Sequence, residues 1–163
     1  MKQISKLAIT VLIGVFTLMS FSKMNDKTSV KCMVQMINYE GEGAYIIISL
    51  LDPDGNYKET LYVQGDDKEW YNDITEWWAF HGKQRPNIDA ITGETIAGGE
   101  RSMNVINIPT DAIDNGHKLR FETSVEEQEY HVADLEFELT TENLSSKKEG
   151  TGFIRYVRLM PQK

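Results

Sequence analysis

The residues with the clearest chemical potential form the heptapeptide 89–95, which reads D-A-I-T-G-E-T. Its last residue, Thr95, carries a hydroxyl that could accept a phosphoryl group from a modifying enzyme. Such an enzyme must bring a hydroxyl up to a pyrophosphate in a narrow site, and the small Thr92 and Gly93 would let the backbone approach closely. Asp89 could fix the segment through an Asx-type hydrogen bond or orient a metal ion in that complex. The same letters are also typical of an ordinary turn, and this interpretation stays open.

The spacing resembles the D-x-x-[ST]-G-A-[ST] target at which a periplasmic flavin transferase esterifies FMN, through its phosphate, onto the last threonine. The resemblance implies covalent FMN at Thr95, with Asp89, Thr92 and Gly93 as the other positions of the cofactor site. The protein would then be an electron carrier. One position departs from the target, because Glu94 stands where the pattern has alanine. Its charge beside an incoming phosphate is unfavourable unless the side chain points away.

The heptapeptide lies in a long predicted loop, residues 82–99, which is rich in Gly, Asn and Thr. Loops of this length in compact domains tend to be functional or disordered. An exposed acceptor in such a loop is what a modifying enzyme needs.

One helix is predicted, over residues 66–80, with Asp66 and Glu69 as a capping box and Gly82 as its end. An apolar stripe at i, i+4, i+7 and i+8 is formed by Trp70, Ile74, Trp77 and Trp78. We expect this stripe to clamp the helix onto a sheet. The alternative is a surface on which a flavin or another ligand stacks.

Strand patterns dominate the rest of the chain. The apolar run 44–51 predicts a central strand covered on both faces, and residues 52–56 predict a hairpin turn. A change of alternation near Ala133 predicts a bulge. About seven short strands separated by turns favour a mainly β fold, an immunoglobulin-like antiparallel β-sandwich with one inserted short α-helix. The sequence thus predicts a single domain over residues 29–163.

The N-terminus predicts export. Residues 1–22 combine Lys2 and Lys6 with a short apolar run and a small-residue cleavage site, as in a secretory signal peptide, followed by a leader at 23–28. An N-terminal membrane anchor is the alternative, but the run is short for a span of about 20 residues. The cleavage point has no cysteine, so we expect no lipid anchor and a periplasmic location.

Composition and motif content limit the partners and the reactions that we expect of this protein. A net charge of −8 disfavours nucleic acid and anionic lipid as partners. The single cysteine, Cys32, excludes an intramolecular disulfide, and alternation predicts that it is buried and inert. The chain has no nucleophile elbow, phosphate loop or zinc-binding helix motif, so we expect a carrier or a binding module rather than an enzyme.

The order of features resembles a bacterial family known as predicted periplasmic proteins, domain of unknown function 2271. The resemblance rests on the turn 52–56, the pair Trp77 and Trp78, the heptapeptide, the Gly-Gly-Glu at 98–100 and the turn 111–116. It implies an immunoglobulin-type sandwich and, as partners, the flavin transferase and a PepSY-type membrane protein. The family's W-D-G segment is missing, since residues 104–107 read N-V-I-N. A periplasmic binding or assembly module without a cofactor is the alternative function.

Overall fold

A computed structural model describes residues 26–84 and 86–162, apart from the side chain of Asp89. The predicted signal peptide, residues 1–22, lies outside these residues and stays a prediction. Within the described ranges no helix has the length and apolar character needed to cross a membrane.

In the part of the chain that the structure describes, nine strands form two sheets. They are β1 (Lys27–Met36), β2 (Tyr45–Leu51), β3 (Tyr57–Gln64), β4 (Thr92–Gly93), β5 (Arg101–Pro109), β6 (Lys118–Ser124), β7 (His131–Glu138), β8 (Lys147–Lys148) and β9 (Ile154–Pro161). One sheet has the order β5-β1-β9-β8 and the other has the order β4-β3-β2-β6-β7. Every strand pair is antiparallel except β3 with the two-residue β4, which is parallel.

The predicted mainly β sandwich with one α-helix is confirmed, and its immunoglobulin-like connectivity stays a prediction. The main core lies between the sheets, where the buried side chains of β1 and β2 meet; Val30, Cys32, Ile46 and Ile48 belong to it. A second core, to which Ile47 contributes, lies on the other face of β2. The predicted covering of the central strand on both faces is therefore correct.

The predicted helix boundaries are wrong. A 3₁₀ helix spans Lys68–Asp73, Ile74 leaves the helical region, and the α-helix α1 spans Thr75–Gln84. The cap is Asp67 rather than Asp66, because its carboxylate accepts a hydrogen bond from the Glu69 amide at 3.0 Å. The predicted end, Gly82, lies inside α1.

The break lies between buried side chains that pack on the sheet. Tyr71 in the 3₁₀ helix, Ile74 at the break and Trp77 in α1 are all buried, and they share one core with Ile47 and Val63 of β2 and β3. The predicted four-residue stripe is thus only partly core, since Trp70 and Trp78 are half-buried.

Trp77 anchors the helical segment to the sheet. Its indole is fully buried, and Nε1 donates a hydrogen bond to Thr60 Oγ1 on β3 at 2.9 Å. Tyr71 packs edge-on against it, with ring centroids 5.2 Å apart. The Tyr71 hydroxyl also donates to the Gly65 carbonyl, just after β3, at 2.9 Å. The helix is therefore clamped as predicted, with Trp77 as the central contact.

A buried carboxylate joins the two sheets. Asp134 lies in β7 at the predicted bulge, where residues 131–135 of β7 face only residues 121–123 of β6. Its Oδ1 accepts hydrogen bonds from the amides of Thr151 and Gly152, and its Oδ2 accepts from the Ile154 amide and Thr123 Oγ1, at 2.6–2.9 Å. Ile154 begins β9 of the other sheet. The bulge thus turns Asp134 inward, where it fixes the entry of the last long strand.

We expect Asp134→Ala to lower the free energy of unfolding by about 3 kcal/mol or more, because the buried Ile154 amide, the buried Thr123 hydroxyl and two part-buried amides would lose the carboxylate that accepts their hydrogen bonds. Urea denaturation followed by fluorescence measures the change. The matched control is Asp54→Ala, which removes an exposed carboxylate from a turn and should change stability by no more than about 0.5 kcal/mol. A loss below about 1 kcal/mol in Asp134→Ala would contradict the assigned role.

Candidate functional site

Two buried isoleucines hold the ends of the heptapeptide. Ile88, just before it, packs in the core beneath the helix, and Ile96, just after it, packs in the core between the sheets. Ile91 also packs against the helix-side core. The predicted loop is therefore an ordered connection between the two cores.

Backbone hydrogen bonds guide the segment around the end of β3. Thr92 and Gly93 form β4 beside Val63 and Gln64. Next, the Glu94 carbonyl accepts a hydrogen bond from the Gln64 side chain. Ile96 then pairs with Ala44, immediately before β2, through two backbone hydrogen bonds of 2.7 and 3.2 Å. Thr95 thus lies between two hydrogen-bonded residues, Glu94 and Ile96, and is itself exposed.

Close packing explains two glycines around this segment. A Cβ atom on Gly93 would collide with the Tyr62 hydroxyl. A Cβ atom on Gly43 would lie 2.7 Å from the Cβ atom of Thr95, which is closer than such atoms approach. Glycine at both positions therefore lets the segment lie flat against the end of the sheet.

Thr95 lies in the wall of a surface cleft of about 310 Å³, which we call the Thr95 cleft. Three aromatic side chains also line it: Tyr45 at the start of β2, Trp70 from the 3₁₀ helix and Tyr130 before β7. Ser124 and Gln128 add polar groups. The volume lies at the lower end of the range of small-molecule sites.

The Thr95 cleft is acidic. Its charged lining residues are Glu42, Asp73, Glu126 and Glu127, and none of the lining residues is basic. Glu94, the residue that departs from the flavinylation pattern, is exposed and lies outside the cleft lining.

The predicted site residues do not all lie in the Thr95 cleft. Thr95 reaches the cleft, whereas Thr92 and Gly93 hold the segment on the edge of β3. Asp89 begins a short 3₁₀ turn, and its side chain lies outside the description. Of the three tryptophans only Trp70 lines the Thr95 cleft.

Sequence reasoning missed the two cleft tyrosines. Tyr45 opens a strand whose apolar pattern hides it, and Tyr130 lies in a turn region with no motif. A single signal was visible, because Tyr130 falls out of phase with the alternation of β7. Burial raises the pKa of the Tyr45 hydroxyl to about 12, so it stays protonated at neutral pH.

A buried glutamate lies behind the cleft. Glu122 on β6 is fully buried on the helix side of the sheet and accepts hydrogen bonds from the Tyr57 hydroxyl, at 2.8 Å, and from the Tyr130 hydroxyl. Burial raises the pKa of Glu122 to about 7, although both tyrosines and the Arg120 charge act in the opposite direction. Arg120 is paired with Glu136, at 2.7 Å, and lies over the Tyr57 ring. Tyr130 thus connects the cleft to a group that titrates near neutral pH.

The comparisons with known proteins give one match. The family model described as "Predicted periplasmic protein (DUF2271)" matches residues 27–156, so the chain belongs to this family, and the predicted family membership is confirmed. The resemblance of the heptapeptide to a flavinylation target stays a prediction. No curated protein and no solved structure matches the chain significantly.

We expect Glu122 to make the protein less stable as the pH rises. The folded pKa, about 7, lies above the ordinary value of 4.5, so the folded state binds the proton more tightly than the unfolded chain. The stabilisation of the folded state by the proton on Glu122 is complete below the ordinary pKa of 4.5, and it is lost as the pH rises through about 7. The change amounts to about 3 kcal/mol.

Glu122→Gln removes this titration while it keeps hydrogen-bonding atoms for both tyrosines. Between about pH 5 and pH 8 the unfolding free energy of Glu122→Gln should therefore rise relative to that of the wild type, as measured by urea denaturation. Glu138→Gln, which removes an exposed carboxylate from β7, is the control and should follow the wild-type curve. Parallel curves for the wild type and Glu122→Gln would show that Glu122 titrates normally.

Proposed function

We propose that this periplasmic family member is an electron carrier that bears FMN as a phosphoester on Thr95, with the flavin ring in the Thr95 cleft. The observation that carries the proposal is that the acceptor threonine of the flavinylation-like heptapeptide is exposed and lines a cleft walled by Tyr45, Trp70 and Tyr130. The three aromatic side chains offer faces against which a planar ring can stack.

The attachment step needs FAD as the donor and a flavin transferase as the catalyst. The Thr95 Oγ attacks the phosphorus on the riboflavin side of the pyrophosphate, which forms a new P–O bond. The P–O bond to the AMP half breaks, AMP leaves, and the hydroxyl proton goes to a base of the transferase. The exposed Thr95 and the small Gly93 leave room for that approach, and the side chain of Glu94 can turn toward solvent.

The acidity of the cleft favours covalent over reversible attachment. Glu42, Asp73, Glu126 and Glu127 repel a free phosphate monoester, so FMN in solution would bind here weakly. A phosphoester bond to Thr95 retains the flavin in spite of that repulsion, while the neutral ring contacts the aromatic walls. The flavin would supply the redox chemistry and the protein its position and surroundings.

A carrier of this kind must exchange electrons with another protein. The proposed exchange partner is a PepSY-type membrane protein, as the family resemblance implies. The chain then needs no catalytic residue of its own.

We expect co-expression with an active flavin transferase to raise the intact mass by that of FMN less one water. Thr95→Ala should abolish the gain, and Thr95→Ser should keep it, because serine retains the hydroxyl. Glu94→Ala should raise the modified fraction, since it removes a negative charge next to the incoming phosphate. Wild-type protein that stays unmodified beside an active transferase would remove the proposal.

In the modified protein we expect Trp70→Ala to raise flavin fluorescence, because an indole stacked on the ring quenches its emission. The matched control is Trp78→Ala, since Trp78 is half-buried outside the Thr95 cleft. Steady-state emission of equal amounts of attached flavin measures the effect. Equal emission from the wild type and Trp70→Ala would place the ring away from Trp70.

The charge of the cleft favours a second candidate function, a binding module for organic cations. Aromatic faces beside carboxylates attract quaternary amines through cation–π and Coulomb interactions. Titration of unmodified protein with choline chloride separates the two functions. Saturable binding that Trp70→Ala abolishes, together with an unmodified mass beside the transferase, would favour the module.

A further inference from the structure

The outer face of the four-stranded sheet is the side of β5-β1-β9-β8 that points away from the sandwich core. Its residues are fixed by strand register, because directly paired residues share a face. Two rows of paired residues cross its centre: Met103, Met33 and Arg158, and then Val105, Lys31 and Met160. The α-helix packs on the other sheet, against β3, and leaves this face uncovered within the described residues.

The centre of this face is apolar. Met103 and Val105 are 55% and 49% exposed, which is unusual for large apolar side chains in the solvent-facing rows of a sandwich. Met33, paired with Met103, and Met160, across Lys31 from Val105, are half-buried. Of the four methionines in the described residues, only Met36 points into the core. The chain thus places its flexible apolar side chains where they contact solvent.

The charges on this face are opposite in sign to those of the whole chain. Four cations lie on this face: Lys31, between Val105 and Met160, and Arg101, Lys147 and Arg158. Two of the acidic residues near this face are paired with its lysines: Glu149 with Lys147 at 3.2 Å, and Glu59 with Lys27 at 2.8 Å. The complete chain has 25 acidic and 17 basic residues, so a random patch would be negative. Lys31 and Arg158 are exposed cations beside the methionines.

We propose that the outer face of the four-stranded sheet is a docking surface for a protein partner that presents acidic residues around an apolar contact. Methionine, arginine and tyrosine are enriched at protein interfaces, and methionine adapts its shape to its partner. Tyr156 adds an aromatic ring, which lies under the Lys147 ammonium at 4.6 Å. Charge complementarity selects an acidic partner and speeds the encounter. This composition favours a protein over a lipid surface, and the proposal does not depend on the flavin.

The experiment introduces the photo-crosslinker p-benzoylphenylalanine in place of Met103 in the full chain, expressed in its native host. The same crosslinker in place of Asp54, in the exposed turn between β2 and β3, is the matched control. A second version of the Met103 protein carries Lys31→Glu and Arg158→Glu. Both positions are exposed, so thermal melting should show that the charge-reversed protein folds normally.

We expect one discrete adduct from position 103, at least about tenfold stronger than from position 54. Mass spectrometry of the crosslinked peptides should place it on another protein, in a segment with excess Asp and Glu. Charge reversal should reduce the adduct at least about tenfold.

Three results would overturn the proposal. The first is an adduct with this same chain, which would indicate self-contact or a second copy. The second is an adduct with phospholipid, which would indicate a membrane surface. The third is a missing adduct, or one that persists after charge reversal or maps to a basic segment.

Discussion

The sandwich depends on one buried carboxylate whose hydrogen bonds connect the two sheets. Asp134 satisfies three backbone amides where the chain enters β9, and it does so from a bulge in the edge strand of the opposite sheet. Gly150 and Gly152 are required beside it, because a Cβ atom on either would lie within 3.0 Å of a carboxylate oxygen. Three directed hydrogen bonds, to a carboxylate that Thr123 of the neighbouring strand also binds, thus set the registration of two sheets that hydrophobic contact alone would leave free to slide.

The two faces of the five-stranded sheet pack against different parts of the chain. Its inner face joins the main core, while its outer face is covered by the 3₁₀ helix and α1. The heptapeptide links the two cores through Ile88 and Ile96. The Thr95 cleft forms where this link meets the start of β2, the 3₁₀ helix and the turn after β6, so its walls come from four distant parts of the chain. Glu122 lies behind one of those walls and connects it to the covered face through Tyr130.

Local patterns predict what depends on neighbours in sequence. Alternation predicted the buried Cys32, whose thiol pKa burial raises to about 12, and the apolar run predicted that β2 is covered on both faces. The predicted helix boundaries were wrong because the chain leaves the helical region at Ile74, and the contacts that bring Tyr71, Ile74 and Trp77 into one core with the sheet cannot be seen in the local pattern. The burial of Glu122 could not be predicted either, since a glutamate in a strand looks solvent-facing until a helix is known to cover it.

The anchoring of the heptapeptide at both ends also bears on the order of events during maturation. Fixing a backbone residue costs about 1–2 kcal/mol, and for residues 92–96 that cost is met when the domain folds. An enzyme that acts on Thr95 therefore meets a preorganised substrate whose shape exists only after β3 and the start of β2 have assembled. Modification at this position would accordingly follow folding, and a misfolded chain would present no acceptor of the right form.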